Sequence, residues 1–156
     1  LGGPQAGILA GRAPLVARLR SNPLLRALRV DKMTLAALGA TLRLHRDSES
    51  RKQIPIYRIL GASLEELRKR AQRYLSAVAG SELLESQAYV GGGALPETHV
   101  PSIAIALATD DPKERAANLR RGEPSIVARV NEGRLLFDLR TILPEQDAAV
   151  VAALRP

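Results

Sequence analysis

Arg26 and Arg29 stand three residues apart, with Lys32 three further on and Asp31 among them. If that turn is helical, the spacing puts two guanidinium forks on one face. Guanidinium groups stay charged at any relevant pH and grip a tetrahedral oxyanion through paired N–H donors. The chain reaches them from Gly2, Gly3, Pro4 and Gln5, a glycine turn feeding a short apolar stretch. A glycine turn near fixed positive charge suits a site that handles a small anion. Lys32 is the lysine nearest this cluster and a candidate amine for Schiff-base chemistry. A lysine in the first turn of a helix is more often simply solvated.

Other chemistries find little support. The chain has no cysteine, which excludes disulfides, thiol catalysis and cysteine metal sites. His45 and His99 are far apart and have no ligand partner at motif spacing, so they read as surface or packing residues. Ser63 has no partnering histidine, and a hydrolytic triad is unsupported. Asp110 and Asp111 precede a helix and read as capping residues. Gly91, Gly92 and Gly93 lack the spacing of a dinucleotide fingerprint; they suit a close backbone approach or a bulge.

The charge is unevenly placed. Of 156 residues, 23 are Lys or Arg and 16 are Asp or Glu, a net +7. Residues 1–53 hold ten of the bases and three of the acids, so the whole excess sits there. That asymmetry suggests attraction to phosphate or nucleic acid. Aromatic residues make up only 3%, too few for a stacking platform along single-stranded nucleic acid. No apolar run approaches a membrane span and no secretory segment is evident, so a soluble, cytoplasmic protein is expected.

The elements that position these residues can be read from periodicity and caps. Residues 5–10 read as a short buried strand. Pro14 opens a helix to about Arg20, with Leu15, Val16 and Leu19 inward. Asn22 and Pro23 restart the chain as cap and first helical residue, and Asp31 caps a helix over residues 32–46 with Leu35, Leu38 and Leu42 inward. Residues 47–53 are polar and read as a linker, giving domains at 1–53 and 54–156. Ser63 and Glu66 form a capping box for a helix to about Ala79, and the basic run 68–73 reads as its solvated side. Strands follow at 82–90 and 101–108, then a helix from Pro112 to about Arg121. Residues 125–130 and 134–139 form a hairpin around Gly133, and a last helix covers 144–154. The order from residue 63 onward describes an α+β layer, with helices on one side of an antiparallel sheet.

LGGPQAGILAG, followed by SNPLLRALRVDKMTLAALGATLRL, resembles bacterial selenocysteine synthase, the L-seryl-tRNA(Sec) selenium transferase. The likeness is close over residues 1–44 and looser through VGGGALPETHVPSIAI and GRLLFDLRTI. It implies an α/β parent with the type I fold of pyridoxal phosphate (PLP) enzymes. Residues 1–53 would end the large PLP domain and its connecting helix, and 54–156 would be the small C-terminal domain. Selenophosphate would bind at Arg26 and Arg29. Gly2, Gly3 and Gln5 would border the PLP phosphate. The lysine that holds PLP is expected just upstream of Leu1, so no catalytic residue is assigned here and the fragment is expected to be inactive alone. The family's usual small polar residue after the glycine triplet is Ala94 here. The resemblance further implies seryl-tRNA(Sec) as substrate and a homo-oligomer built as a ring of dimers. The alternatives are another type I PLP enzyme, of sulfur amino-acid metabolism, or a basic RNA-binding module.

Overall fold

Side-chain caps set several of the helix starts. The computed structural model describes residues 2–90 and 98–155. In it Asp31 accepts the backbone N–H groups of Met33 and Thr34 at 2.8 and 2.9 Å and opens α3, Lys32–Leu44. Upstream lie α1, Ala13–Arg20, and the single turn α2, Leu24–Ala27, where Asn22 accepts the Leu24 N–H at 2.9 Å. Asp47 caps another single turn, α4, Ser48–Arg51, and α5 covers Pro55–Gly61. Ser63 and Glu66 form the expected reciprocal capping box at the head of α6, Leu64–Ala77.

The chain divides into two compact units, Leu1–Tyr57 and Arg58–Pro156, with the division falling inside α5. The first unit departs from the sequence reading. Residues 5–10 form no strand and are largely exposed, because among the described residues no strand pairs with them. The inward rows assigned to α1 and α3 are not buried: Leu15, Leu19, Leu35 and Leu42 remain 43–53% exposed. Their periodicity is real, but this unit gives them no surface to pack on. The polar stretch 47–53 is not an open linker, since Asp47 folds its middle into α4.

The second unit holds the core. Its sheet runs β1, Ser81–Tyr89; β2, His99–Ala108; β4, Arg134–Asp138; and β3, Arg129–Asn131, in that spatial order and antiparallel throughout. Alternation along β2 and β4 sends Ile103, Ile105, Leu135 and Phe137 to one face. There they meet Leu67, Ala71, Tyr74 and Val78 of α6, Ala116 and Leu119 of α7 (Pro112–Arg121), and Val150 and Leu154 of α8 (Asp147–Leu154). This is the expected α+β layer, with one sheet face under helices.

The β3–β4 hairpin is shorter than expected. Its loop is two residues, Glu132 and Gly133, both left-handed at φ 49° and 73°, which suits a tight turn matched to strand twist. Residues 125–128 stay outside the sheet because the Ile126 N–H bonds the Leu119 carbonyl at 2.9 Å, along the end of α7.

Candidate functional site

Arg26 lies within the single turn α2, one residue before its end at Ala27, and Arg29 lies beyond its C-cap residue, Leu28. The helix is too short to carry both on one helical face, so a turn and the bend after it hold them. Both are exposed, and among the described residues neither guanidinium has an ion-pair or hydrogen-bond partner. Asp31 is committed elsewhere. The Thr34 hydroxyl at 2.6 Å and the Thr34 and Met33 N–H groups hold its carboxyl below the usual carboxylate range. The one acid amid these cations is therefore occupied as a helix cap, and the guanidinium pair stays available to an outside anion.

Gly2 and Gly3 have a local reason to be glycine. A Cβ on Gly3 would meet the Thr41 Oγ1 at 2.5 Å, and one on Gly2 would meet the Ile54 Cγ2 at 2.4 Å. Gly2 also holds φ at +78°. The segment thus lies flat against α3 and against Ile54, the one fully buried apolar side chain of this unit among the described residues. Gln5 is exposed. Lys32 is exposed too, in the first turn of α3, as a solvated lysine would be.

The second unit carries two polar networks that sequence reasoning did not single out. Within the basic run of α6, Arg68 and Lys69 make exposed ion pairs with Glu85 and Glu65. Arg70 turns inward instead. Its guanidinium donates to both oxygens of Asp147 at 2.6 and 2.8 Å and to the Leu139 and Ile142 carbonyls. Tyr74, fully buried, donates its hydroxyl to the same carboxylate at 2.8 Å. Burial first, then the bond to Asp147, push the Tyr74 phenol well above its ordinary range.

The second network uses Asp138 and Arg140. Asp138 accepts the Ser102 and Ser86 hydroxyls and the Arg140 N–H. Arg140 is 3% exposed and donates to the Ile59, Leu60 and Ala62 carbonyls and to the Pro101 carbonyl. It clips the end of α5 to a stretch of β2 that β4 does not flank, where a proline without N–H is tolerated. A buried arginine with four acceptors leaves no signal in a single sequence, since its partners are carbonyls distant along the chain.

The first unit carries exposed cations on short helices and turns, and the second carries an antiparallel sheet with helices on one face and two polar networks at its edges. The comparisons then identify the lineage. The family model described as SelA: L-seryl-tRNA selenium transferase matches residues 1–143, and the chain belongs to that family. It is 45% identical over 165 residues to the L-seryl-tRNA(Sec) selenium transferase of Geobacter sulfurreducens, covering 99% of this chain and 36% of that protein. The enzyme of the same name from Wolinella succinogenes is 48% identical over 151 residues, covering 94% and 33%. That from Moorella thermoacetica is 45% identical over 167 residues, covering 99% and 35%. The chain thus spans about a third of the length of these relatives.

Members of this family use PLP. Among the described residues no lysine is buried in a pocket that could hold it as a Schiff base. All four lysines, Lys32, Lys52, Lys69 and Lys113, are exposed, and Lys52 and Lys69 are ion-paired to Glu49 and Glu65. On the side a Cβ would take, Gly2 faces Ile54 and Ile56 and Gly3 faces Thr41, which leaves only their backbone to meet a ligand. Gly91, Gly92, Gly93 and Ala94 lie outside the described residues. Among the described residues no helix is long and apolar enough to cross a membrane.

Proposed function

We propose that this chain is the C-terminal part of a PLP-dependent enzyme that converts seryl-tRNA(Sec) to selenocysteinyl-tRNA(Sec) with selenophosphate as selenium donor. Residues 1–53 complete the large PLP domain with its connecting helix, and residues 54–156 form the small C-terminal domain. The lysine that holds PLP comes from sequence outside this chain, the fragment alone is inactive, and the assembled enzyme is a ring of dimers in the cytoplasm. Arg26 and Arg29 bind the tetrahedral oxyanion of the donor. Gly2, Gly3 and Gln5 run beside the PLP phosphate, the glycines through their backbone. The observation that carries the reading is the family match over residues 1–143, together with two exposed guanidinium groups that no ion pair neutralises among the described residues.

The anion role fits the chemistry. Paired N–H donors orient a selenophosphate without transferring a proton to it. The excess charge of residues 1–53 draws in both the donor and the tRNA phosphates.

The test uses full-length enzyme containing this segment. Arg26→Ala and Arg29→Ala should each lower kcat/KM for selenophosphate by roughly 10- to 100-fold, the loss of one charge-assisted contact. Cofactor absorbance and seryl-tRNA binding should stay as in the parent. Unchanged donor dependence in both variants would sink the assignment.

A further inference from the structure

β1 and β2 pair from Ser81–Leu107 to Tyr89–His99, but β4 flanks β2 only over residues 104–108. The rungs from Ser86–Ser102 to Tyr89–His99 therefore stand out from the sheet as a two-stranded ribbon. Residues directly opposite in an antiparallel pair share a face, and every second residue returns to it. Glu85, Gln87 and Tyr89 thus share one face with Ile103, Pro101 and His99. At Ile103 that face is core; toward the ribbon end its side chains are exposed. Tyr89 is 64% exposed, and Glu85, Gln87 and His99 are exposed as well. With Leu64 at the start of α6, residues of this face line a cleft of about 380 Å³, a size suited to a small planar ligand.

We propose that this cleft takes one unstacked nucleobase of the single-stranded 3′ end of the tRNA, a proposal that rests on the tRNA-dependent function above. The His99 imidazole lines the cleft, and the Tyr89 ring meets it edge-on, with centroids 4.6 Å apart. Two exposed rings held at right angles offer a flat π-face to a base. Leu64, Pro101 and Ile103 supply an apolar floor. The Gln87 amide can both donate to and accept from a base edge, and the Glu85 carboxylate accepts. Arg68, half exposed and bonded to Glu85 at 2.6 Å, puts positive charge beside the cleft for an adjoining phosphate. The chain's low aromatic content rules against an extended stacking platform, but a single base needs one ring pair. Elsewhere, Tyr74 and Phe137 are buried in the core, and Tyr57 packs on His45.

The experiment is an NMR titration of this chain with the trinucleotide CCA, in which every tRNA ends, beside a trinucleotide whose terminal base is replaced by an abasic site. The ring signals of Tyr89 and His99 should shift with CCA. Tyr89→Ala should weaken binding roughly tenfold without moving the thermal midpoint, since the ring is exposed, and the abasic probe should bind comparably weakly. Unmoved ring signals, or equal affinity for the two probes, would overturn the proposal. So would a response to an extended peptide and not to CCA. Turnover of the full-length enzyme, measured in parallel, separates the two readings. Normal selenocysteinyl-tRNA formation with a silent cleft removes the nucleobase site and leaves the enzyme assignment intact.

Discussion

At the scale of single residues, the Arg70–Asp147–Tyr74 network contributes to how the second unit responds to alkaline pH. Its phenol is held in the neutral form by burial and by Asp147. A raised folded-state pKa means that this contribution is whole below the unfolded tyrosine value of about 10 and fades as pH rises above it. The unfolded chain can ionise there and the folded chain cannot. Tyr74→Phe should therefore cost roughly 1–3 kcal/mol at pH 7, through the lost bond to the carboxylate. It should also flatten the fall in stability above about pH 10, which urea unfolding of both proteins across pH 8–11 would show. Arg70→Ala should cost more, roughly 3–5 kcal/mol, because it strands a carboxylate of 9% side-chain exposure without a counter-charge.

Secondary-structure elements are where the glycine segment becomes testable. Gly3 lies against Thr41 of α3 at distances no real Cβ tolerates. Gly3→Ala should destabilise the first unit by about 1–3 kcal/mol, the range for an overpacked contact. Thr41→Ala removes the Oγ1 and Cγ2 atoms that the new methyl would strike, so the double variant should recover part of that loss. A double-mutant cycle followed by helical circular dichroism would read the coupling. If the two losses simply add, close packing is not why glycine stands at position 3. The same segment shows what periodicity misses. Residues 5–10 have strand-like composition, yet among the described residues no strand pairs with them, and a strand requires a partner.

For the molecule as a whole, the two units differ in how they bury their apolar side chains. The second has a continuous core from Leu67 to Leu154. The first leaves Leu9, Leu24, Leu28 and Met33 at 70–83% exposure. Residues 55–156, keeping α5 whole, should therefore unfold cooperatively with a midpoint within a few degrees of the full chain. The full chain should self-associate with rising concentration, driven by apolar surface of the first unit, while 55–156 stays monomeric; sedimentation velocity would distinguish them. Monomeric full-length chain at high concentration would show that this surface is not adhesive.

Local signals in the sequence were enough to set the caps at Asp31, Ser63 and Asp111, the alternation of Leu135, Phe137 and Leu139, and the α+β order of the second unit. Each depends on residues within a few positions of one another, where chemistry and spacing decide the outcome. The motif run over residues 1–44 likewise pointed to the family that the comparisons identify. What only the tertiary structure decided are pairings across long stretches of chain. Arg70 leaves a solvated helix face to meet Asp147, Arg140 gathers carbonyls from α5 and β2, and the β1–β2 ribbon outruns β4 to open a cleft at His99. Burial of a charge or exposure of a ring depends on what the rest of the chain brings alongside, and no local pattern encodes that.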